Sequence, residues 1–128
     1  MLVLLVALGA SLGGVLRYLV MTGVTRRLGE AFPWGTLAVN ALGSLLLGAM
    51  LGAGFEEGGG WLPFERAHAL VGVGFCGGLT TFSTFSLQTL TLSSQRRWGA
   101  VAGNVVGGLA FCMGCVAFGY LLCERVTA

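Results

Sequence analysis

One basic residue stands where a basic residue is expensive. Arg17 lies inside an otherwise uncharged, apolar run from Met1 to Thr25. In a membrane-crossing helix such a charge costs about 2.5–3.5 kcal/mol on insertion scales unless water or a partner reaches it. With no carboxylate inside any comparable run to neutralise it, Arg17 would attract an anion; snorkelling toward the helix end near Thr25 is the competing reading. Asn40, in Trp34-Gly35-Thr36-Leu37-Ala38-Val39-Asn40, adds an amide whose N–H groups can donate to the same kind of ligand. Further on comes Gly77-Gly78-Leu79-Thr80-Thr81-Phe82-Ser83-Thr84-Phe85-Ser86. Adjacent glycines in mid-run weaken a helix by about 1 kcal/mol each relative to Ala, and the Thr and Ser that follow can take up the freed backbone groups, so a break is expected there. Carbonyls exposed at such breaks hold alkali cations in transporters, so a structural cation at Gly77 to Thr80 and a mere packing kink both account for the pattern. Beyond the break, helical spacing puts Thr81, Thr84, Gln88 and Thr91 on one stripe and Phe82 and Phe85 on the next. A track of hydroxyls and an amide beside two aromatics has the makeup of a lined pathway, although phenylalanines by themselves more often serve packing.

Other chemistries lack parts. His68 is the one histidine in the chain, which leaves a metal cluster or a Ser-His-acid triad incomplete. Cys112 and Cys115 have C-x2-C spacing, but inside an apolar run they read as small packing residues and not as redox or zinc ligands. The glycines lack both the strand-turn-helix setting and the Lys of a phosphate-binding loop. The absence of any acidic residue within an apolar run argues against a proton-coupled exchanger, a small multidrug exporter included. An enzyme is not expected.

The elements that must carry these residues follow from where the charges fall. Four stretches are nearly uncharged: Met1 to Thr25, Ala31 to Phe55, Ala67 to Gln95 and Trp98 to Cys123. Each exceeds the roughly 20 residues a helix needs to cross a hydrocarbon core about 30 Å thick. The spacing predicts four transmembrane helices, over about 2–25, 32–54, 67–94 and 98–123, in one integral-membrane domain. The separators are short and hold almost every charge: Arg26, Arg27 and Glu30; Glu56, Glu57, Gly58-Gly59-Gly60, Pro63, Glu65 and Arg66; Arg96 and Arg97; and finally Glu124 and Arg125. The first run has no basic n-region and is followed by three more spans, so it reads as a retained helix and not as a signal peptide. Strand alternation is absent, which disfavours a transmembrane barrel. Two loops on one side carry Arg26, Arg27, Arg96 and Arg97 against Arg66 and Arg125 on the other, a weak orientation bias that leaves insertion both ways open.

Composition agrees. Of 128 residues, 7 are basic and 5 acidic, with 9% charged and 55% hydrophobic, against roughly 25% charged in soluble domains. The net charge of +2 is too small and scattered for nucleic-acid binding. Scarce charge excludes disorder, and four Cys within apolar runs exclude a disulfide scaffold. Nine of the 23 glycines recur with Ser44 at four-residue intervals: Gly9 and Gly13; Ser44, Gly48 and Gly52; Gly74 and Gly78; Gly99, Gly103 and Gly107. Small residues so spaced let helices approach closely in lipid, and packing faces on all four helices favour an oligomer.

Three runs closely resemble the bacterial and archaeal fluoride-channel family, Fluc or CrcB: Gly13-Gly14-Val15-Leu16-Arg17-Tyr18, Gly35-Thr36-Leu37-Ala38-Val39-Asn40-Ala41-Leu42-Gly43-Ser44, and Gly74-Phe75-Cys76-Gly77-Gly78-Leu79-Thr80-Thr81-Phe82-Ser83-Thr84-Phe85-Ser86. The resemblance covers essentially the whole chain. It implies an all-α membrane protein of four helices, the third broken near its middle, forming an antiparallel dual-topology homodimer in the inner or plasma membrane of a prokaryote. It implies passive, selective export of fluoride through two pores and a sodium ion at the dimer interface. On the family pattern the backbone carbonyls of Gly77 and Thr80 hold the sodium. Asn40, Phe82 and Phe85, with Thr81, Ser83 and Thr84, line the pore, where positive ring edges can face an anion. Arg17 lies near the aqueous vestibule. Two positions depart from the pattern: Gln88 stands where the family often has Glu, and Gly108 replaces a Ser of the fourth helix. Both remove a polar or acidic group from the pore side, which leaves pairing with an oppositely inserted paralogue as the alternative to the homodimer.

Overall fold

Long apolar runs fold as helices because lipid offers the backbone no other hydrogen-bond partners. The computed structural model describes residues 1–53 and 64–127. It contains helices α1 (Leu2–Leu28), α2 (Trp34–Gly52), α3 (residues 64–79), α4 (Phe82–Ser94) and α5 (residues 98–127). Together α3 and α4 form one bent span, so four helices are long and apolar enough to cross a membrane: Leu2–Leu28, Trp34–Gly52, Phe64–Ser94 and Trp98–Val126. These match the expected spans to within a few residues at each boundary. The expected turn at Glu56 to Pro63 and the last residue of the second span lie outside the described residues.

The short connections are closed by local chemistry. Gly29 ends α1 at φ 79°, a conformation that suits glycine, with its N–H on the Thr25 carbonyl at 2.8 Å. Arg97 donates from Nη1 to the Ala31 carbonyl at 2.6 Å, tying the first and third loops together at one end, as four antiparallel spans require.

α2 is the central helix, packed on α1, α3 and α5. Its Thr36 and Val39, with Leu79 of α3, are the largest fully buried side chains. Two glycine seams set the helix spacing. A Cβ on Gly9 or Gly13 would strike the carbonyl of Leu70 or Phe75, and one on Gly78 would strike that of Ala10, so α1 and α3 meet backbone to backbone. In the same way a Cβ on Gly48 or Gly52 would strike Val116 or Tyr120 of α5. The fourth ladder behaves differently. Gly99 and Gly107 face open space, and Gly103 makes only ordinary contact with Phe32; the close glycine of α5 is Gly119, against Leu45. Within one subunit, then, three of the four expected ladders pack.

Two stretches widen into π turns, His68–Cys76 in α3 and Gly103–Gly107 in α5. Such turns are uncommon and cluster at functional positions. Here both border the cavities described next.

Candidate functional site

The break falls at Thr80 and Thr81, just past the glycine pair where the weakened helix predicts it. Gly77 and Gly78 stay helical, whereas Thr80 (φ −80°, ψ 158°) and Thr81 (φ −148°, ψ 121°) are extended, and α4 restarts at Phe82. The physical reason is where replacement partners exist. The Thr80 N–H and hydroxyl both donate to the Cys76 carbonyl at 2.9 Å, closing α3. Asn40 then pairs with both backbone polar groups of Thr81: its Oδ1 accepts the Thr81 N–H at 2.8 Å, and its Nδ2 donates to the Thr81 carbonyl at 3.1 Å. The Thr81 hydroxyl caps α4, accepting from the Thr84 N–H at 3.2 Å and donating to the Thr84 hydroxyl at 3.0 Å. A side-chain cap on the first turn stabilises a helix by about 1 kcal/mol.

This arrangement divides the electrostatics of the span. The C-terminal end of α3 carries partial negative charge and the N-terminal end of α4 partial positive charge. Arg17 meets the negative end: its Nε donates to the Gly78 carbonyl at 2.8 Å, and its Nη2 donates to the same oxygen. The anion-favouring end, at Thr81, Phe82 and Asn40, opens on a cavity.

That cavity, about 160 Å³, is lined by Asn40, Phe82 and Phe85 together with Thr36, Asn104 and Gly108. The two rings lie 5.7 Å apart between centroids, tilted by 37°. Asn40, which lines this space, has one amide N–H beyond the bond to Thr81. A second cavity, of about 470 Å³, shares Asn40 and Phe82 with the first and is lined also by Gly77, Thr80, Thr81 and Cys76. A third, of about 310 Å³, shares Thr36 with the first and adds Gln88, Thr91, Glu30 and Arg97. A fourth, of about 560 Å³, shares Met21, Thr25 and Glu30 with the third and is lined by Arg17 and Arg26. Shared walls thus link Gly77 at one extreme to the arginines at the other.

Asn40, Phe82 and Phe85 come together around one cavity; helical spacing put the two rings on one stripe, and the family resemblance put Asn40 with them. Thr81 and Thr84 are hydrogen-bonded at the start of α4, while Gln88 and Thr91 of the same stripe line the third cavity. Ser83 is exposed, its hydroxyl 3.3 Å from that of Thr81. Arg17 lies on a different cavity from the phenylalanines. Asn104 bridges two helices, donating to Thr89 Oγ1 at 2.8 Å, and also lines the first cavity. Thr36 escaped sequence reasoning. It is 1% exposed, and its hydroxyl has no hydrogen-bond partner among the described residues; Gln88 Oε1 is likewise buried and unpartnered. The available signal was a hydroxyl one helical turn before Asn40.

The residues at Gly77 and Thr80 fit an alkali cation. In a continuous helix the Thr81 and Thr84 N–H groups would bond the carbonyls of Gly77 and Thr80. Here Asn40 and the Thr81 hydroxyl take those N–H groups instead, which frees two hard oxygen donors beside one cavity.

The sequence profile of the family described as "CrcB-like protein, Camphor Resistance (CrcB)" matches residues 4–120. The chain belongs to this family. Among its relatives, the protein named fluoride-specific ion channel FluC of Opitutus terrae is 43% identical over 118 residues, covering 92% of this chain and 89% of that protein. FluC 1 of Frankia casuarinae is 43% identical over 124 residues, 96% of each chain. The FluC of Paramagnetospirillum magneticum is 42% identical over 118 residues, 91% of each. Family membership therefore extends over all four spans and includes every residue of the broken helix.

Proposed function

We propose that the protein is a passive, fluoride-selective ion channel of a prokaryotic inner or plasma membrane, exporting cytoplasmic fluoride, and that it is not an enzyme. The observation that carries this reading is the cavity where the N-terminal end of α4, the spare N–H of Asn40, and Phe82 and Phe85 meet. Fluoride gives up water reluctantly, so a conducting site must offer donors and positive edges without holding the ion too tightly. An amide N–H, a half-helix N-terminus and ring edges meet that requirement. The buried hydroxyl of Thr36 continues it toward the cavity that Gln88, Thr91 and Arg97 line. The names of the relatives support the choice of fluoride over other anions.

The working unit is an antiparallel homodimer bathed in lipid. Phe82 is 78% exposed in the single subunit, Gly77 is exposed, and the Gly99 and Gly107 ladder has nothing against it. Two subunits of opposite insertion would bring two breaks together. The Gly77 and Thr80 carbonyls of each would then hold one sodium ion, whose charge complements the C-terminal ends of both α3 helices. A paralogue inserted the other way would serve the same geometry, and the number of copies of this chain per particle, two or one, distinguishes the two.

Purified protein in liposomes tests the function. Fluoride efflux that needs a charge-compensating potassium ionophore, with no efflux of chloride, is the expected result. Efflux no faster than from empty liposomes overturns it.

A further inference from the structure

Arg17 continues the α1 seam. Gly9, Gly13 and Arg17 are spaced four apart, and the two glycines lay their backbone against α3 between Leu70 and Leu79. The next rung meets the end of that helix. In an unbroken helix the Gly78 carbonyl would accept from the Phe82 N–H. Phe82 stands beyond the extended pair Thr80-Thr81, so the break orphans that carbonyl within the membrane. Two N–H groups of Arg17, Nε and Nη2, converge on it. Gly78 lies between Gly77 and Thr80. Meanwhile the cavity of Asn40, Phe82 and Phe85 has no contribution from Arg17.

We propose that Arg17 is a positioning residue: its guanidinium caps the orphaned Gly78 carbonyl, holds the break open at Thr80-Thr81, and so sets the orientation of the flanking carbonyls and of Asn40's partner Thr81. The rival role is a mouth charge that concentrates anions. A mouth charge acts through its sign and through local concentration, so a lysine replaces it and excess anion makes up for its loss. A cap acts through two converging N–H groups in a planar fork, which a lysine does not reproduce.

The test compares Arg17→Lys, Arg17→Gln and Arg26→Gln, the last removing an exposed charge from the same cavity without touching the break. The protein is labelled with 13C at glycine carbonyls, 15N at leucine and 13C at arginine Cζ. Only two Gly-Leu pairs occur, Gly78-Leu79 and Gly108-Leu109, so the Gly78 carbonyl is resolved. In bilayers the unmutated protein is expected to show a through-space contact between an arginine Cζ and the Gly78 carbonyl; its absence overturns the proposal, whether or not any variant folds. In Arg17→Lys the Gly78 signal moves while that of Gly108 stays, and Arg26→Gln leaves both in place. An unmoved Gly78 signal in Arg17→Lys refutes the cap.

The rate measurement rests on the channel reading, whereas the carbonyl measurement does not, so silent wild-type liposomes would sink the former alone. In a conducting protein Arg17→Lys and Arg17→Gln both lower maximal fluoride efflux by about tenfold or more, the value of one lost charge-assisted hydrogen bond, with little change in the half-saturating fluoride concentration. Efflux restored to the wild-type maximum by raising fluoride identifies a mouth charge and rejects the cap.

Discussion

Asn40→Ala is the most exacting perturbation of this structure, because one side chain serves both backbone polar groups of a buried residue. Thr81 is 6% exposed, its N–H is bonded to Asn40 Oδ1 at 2.8 Å, and its carbonyl accepts from Nδ2 at 3.1 Å. Truncation leaves a donor and an acceptor unsatisfied together. Each costs about 1–3 kcal/mol, so the folded state loses about 2–6 kcal/mol, or the lower end if water from the adjoining cavity reaches Thr81. The comparison variant is Asn104→Ala. It breaks one side-chain bond to Thr89 Oγ1, which keeps its own bond to the Phe85 carbonyl at 2.7 Å. Interhelical bonds of that kind average about 0.6 kcal/mol in membranes. Reversible unfolding in mixed detergent micelles measures both variants, and liposome efflux measures the same preparations. Asn40→Ala should be the less stable by about 1.5 kcal/mol or more, with slowed efflux. Equal stabilities, with efflux alone reduced in Asn40→Ala, would refute the reasoning and make Asn40 purely an ion contact.

Three further outcomes are expected. Phe82→Ala slows fluoride efflux while the subunit fold, read by circular dichroism, is unchanged, since Phe82 is 78% exposed and supports no subunit core; an unaltered rate removes it from the pore. Gly48→Ala forces a methyl onto the Val116 carbonyl and should cost about 1–3 kcal/mol of unfolding free energy, whereas Gly107→Ala meets open space in the subunit and should weaken only dimer association. Equal unfolding free energies for the two would contradict the α2–α5 seam. Replacing sodium by N-methylglucamine should lower the thermal midpoint of the dimer, with the Gly77 and Thr80 carbonyls left uncompensated; an unchanged midpoint speaks against a bound cation there.

The four spans, their approximate ends and the presence of a weak point in the third were legible in the chain alone. Apolar length, scarce charge and a glycine pair act locally, and a bilayer converts them into helices with little help from tertiary contacts. The pairing of Phe82 with Phe85 was legible for the same reason, as both share one short helix. Where the break falls was decided by tertiary structure. Glycine makes a helix weak, but the chain opens where other side chains replace the lost hydrogen bonds, and those come from Asn40, 41 residues before Thr81, and Arg17, 61 residues before Gly78. No local period encodes such partners. The same limit hid Thr36, whose hydroxyl becomes conspicuous only once burial leaves it unpaired, and it disguised α5, where the four-residue glycine ladder faces outward while Gly119 makes the close approach. Sequence determined which segments enter the membrane, because that depends on transfer energies summed along the chain. Tertiary structure determined which polar groups face an ion and which are consumed in holding the backbone, because each buried donor must find an acceptor across a helix interface.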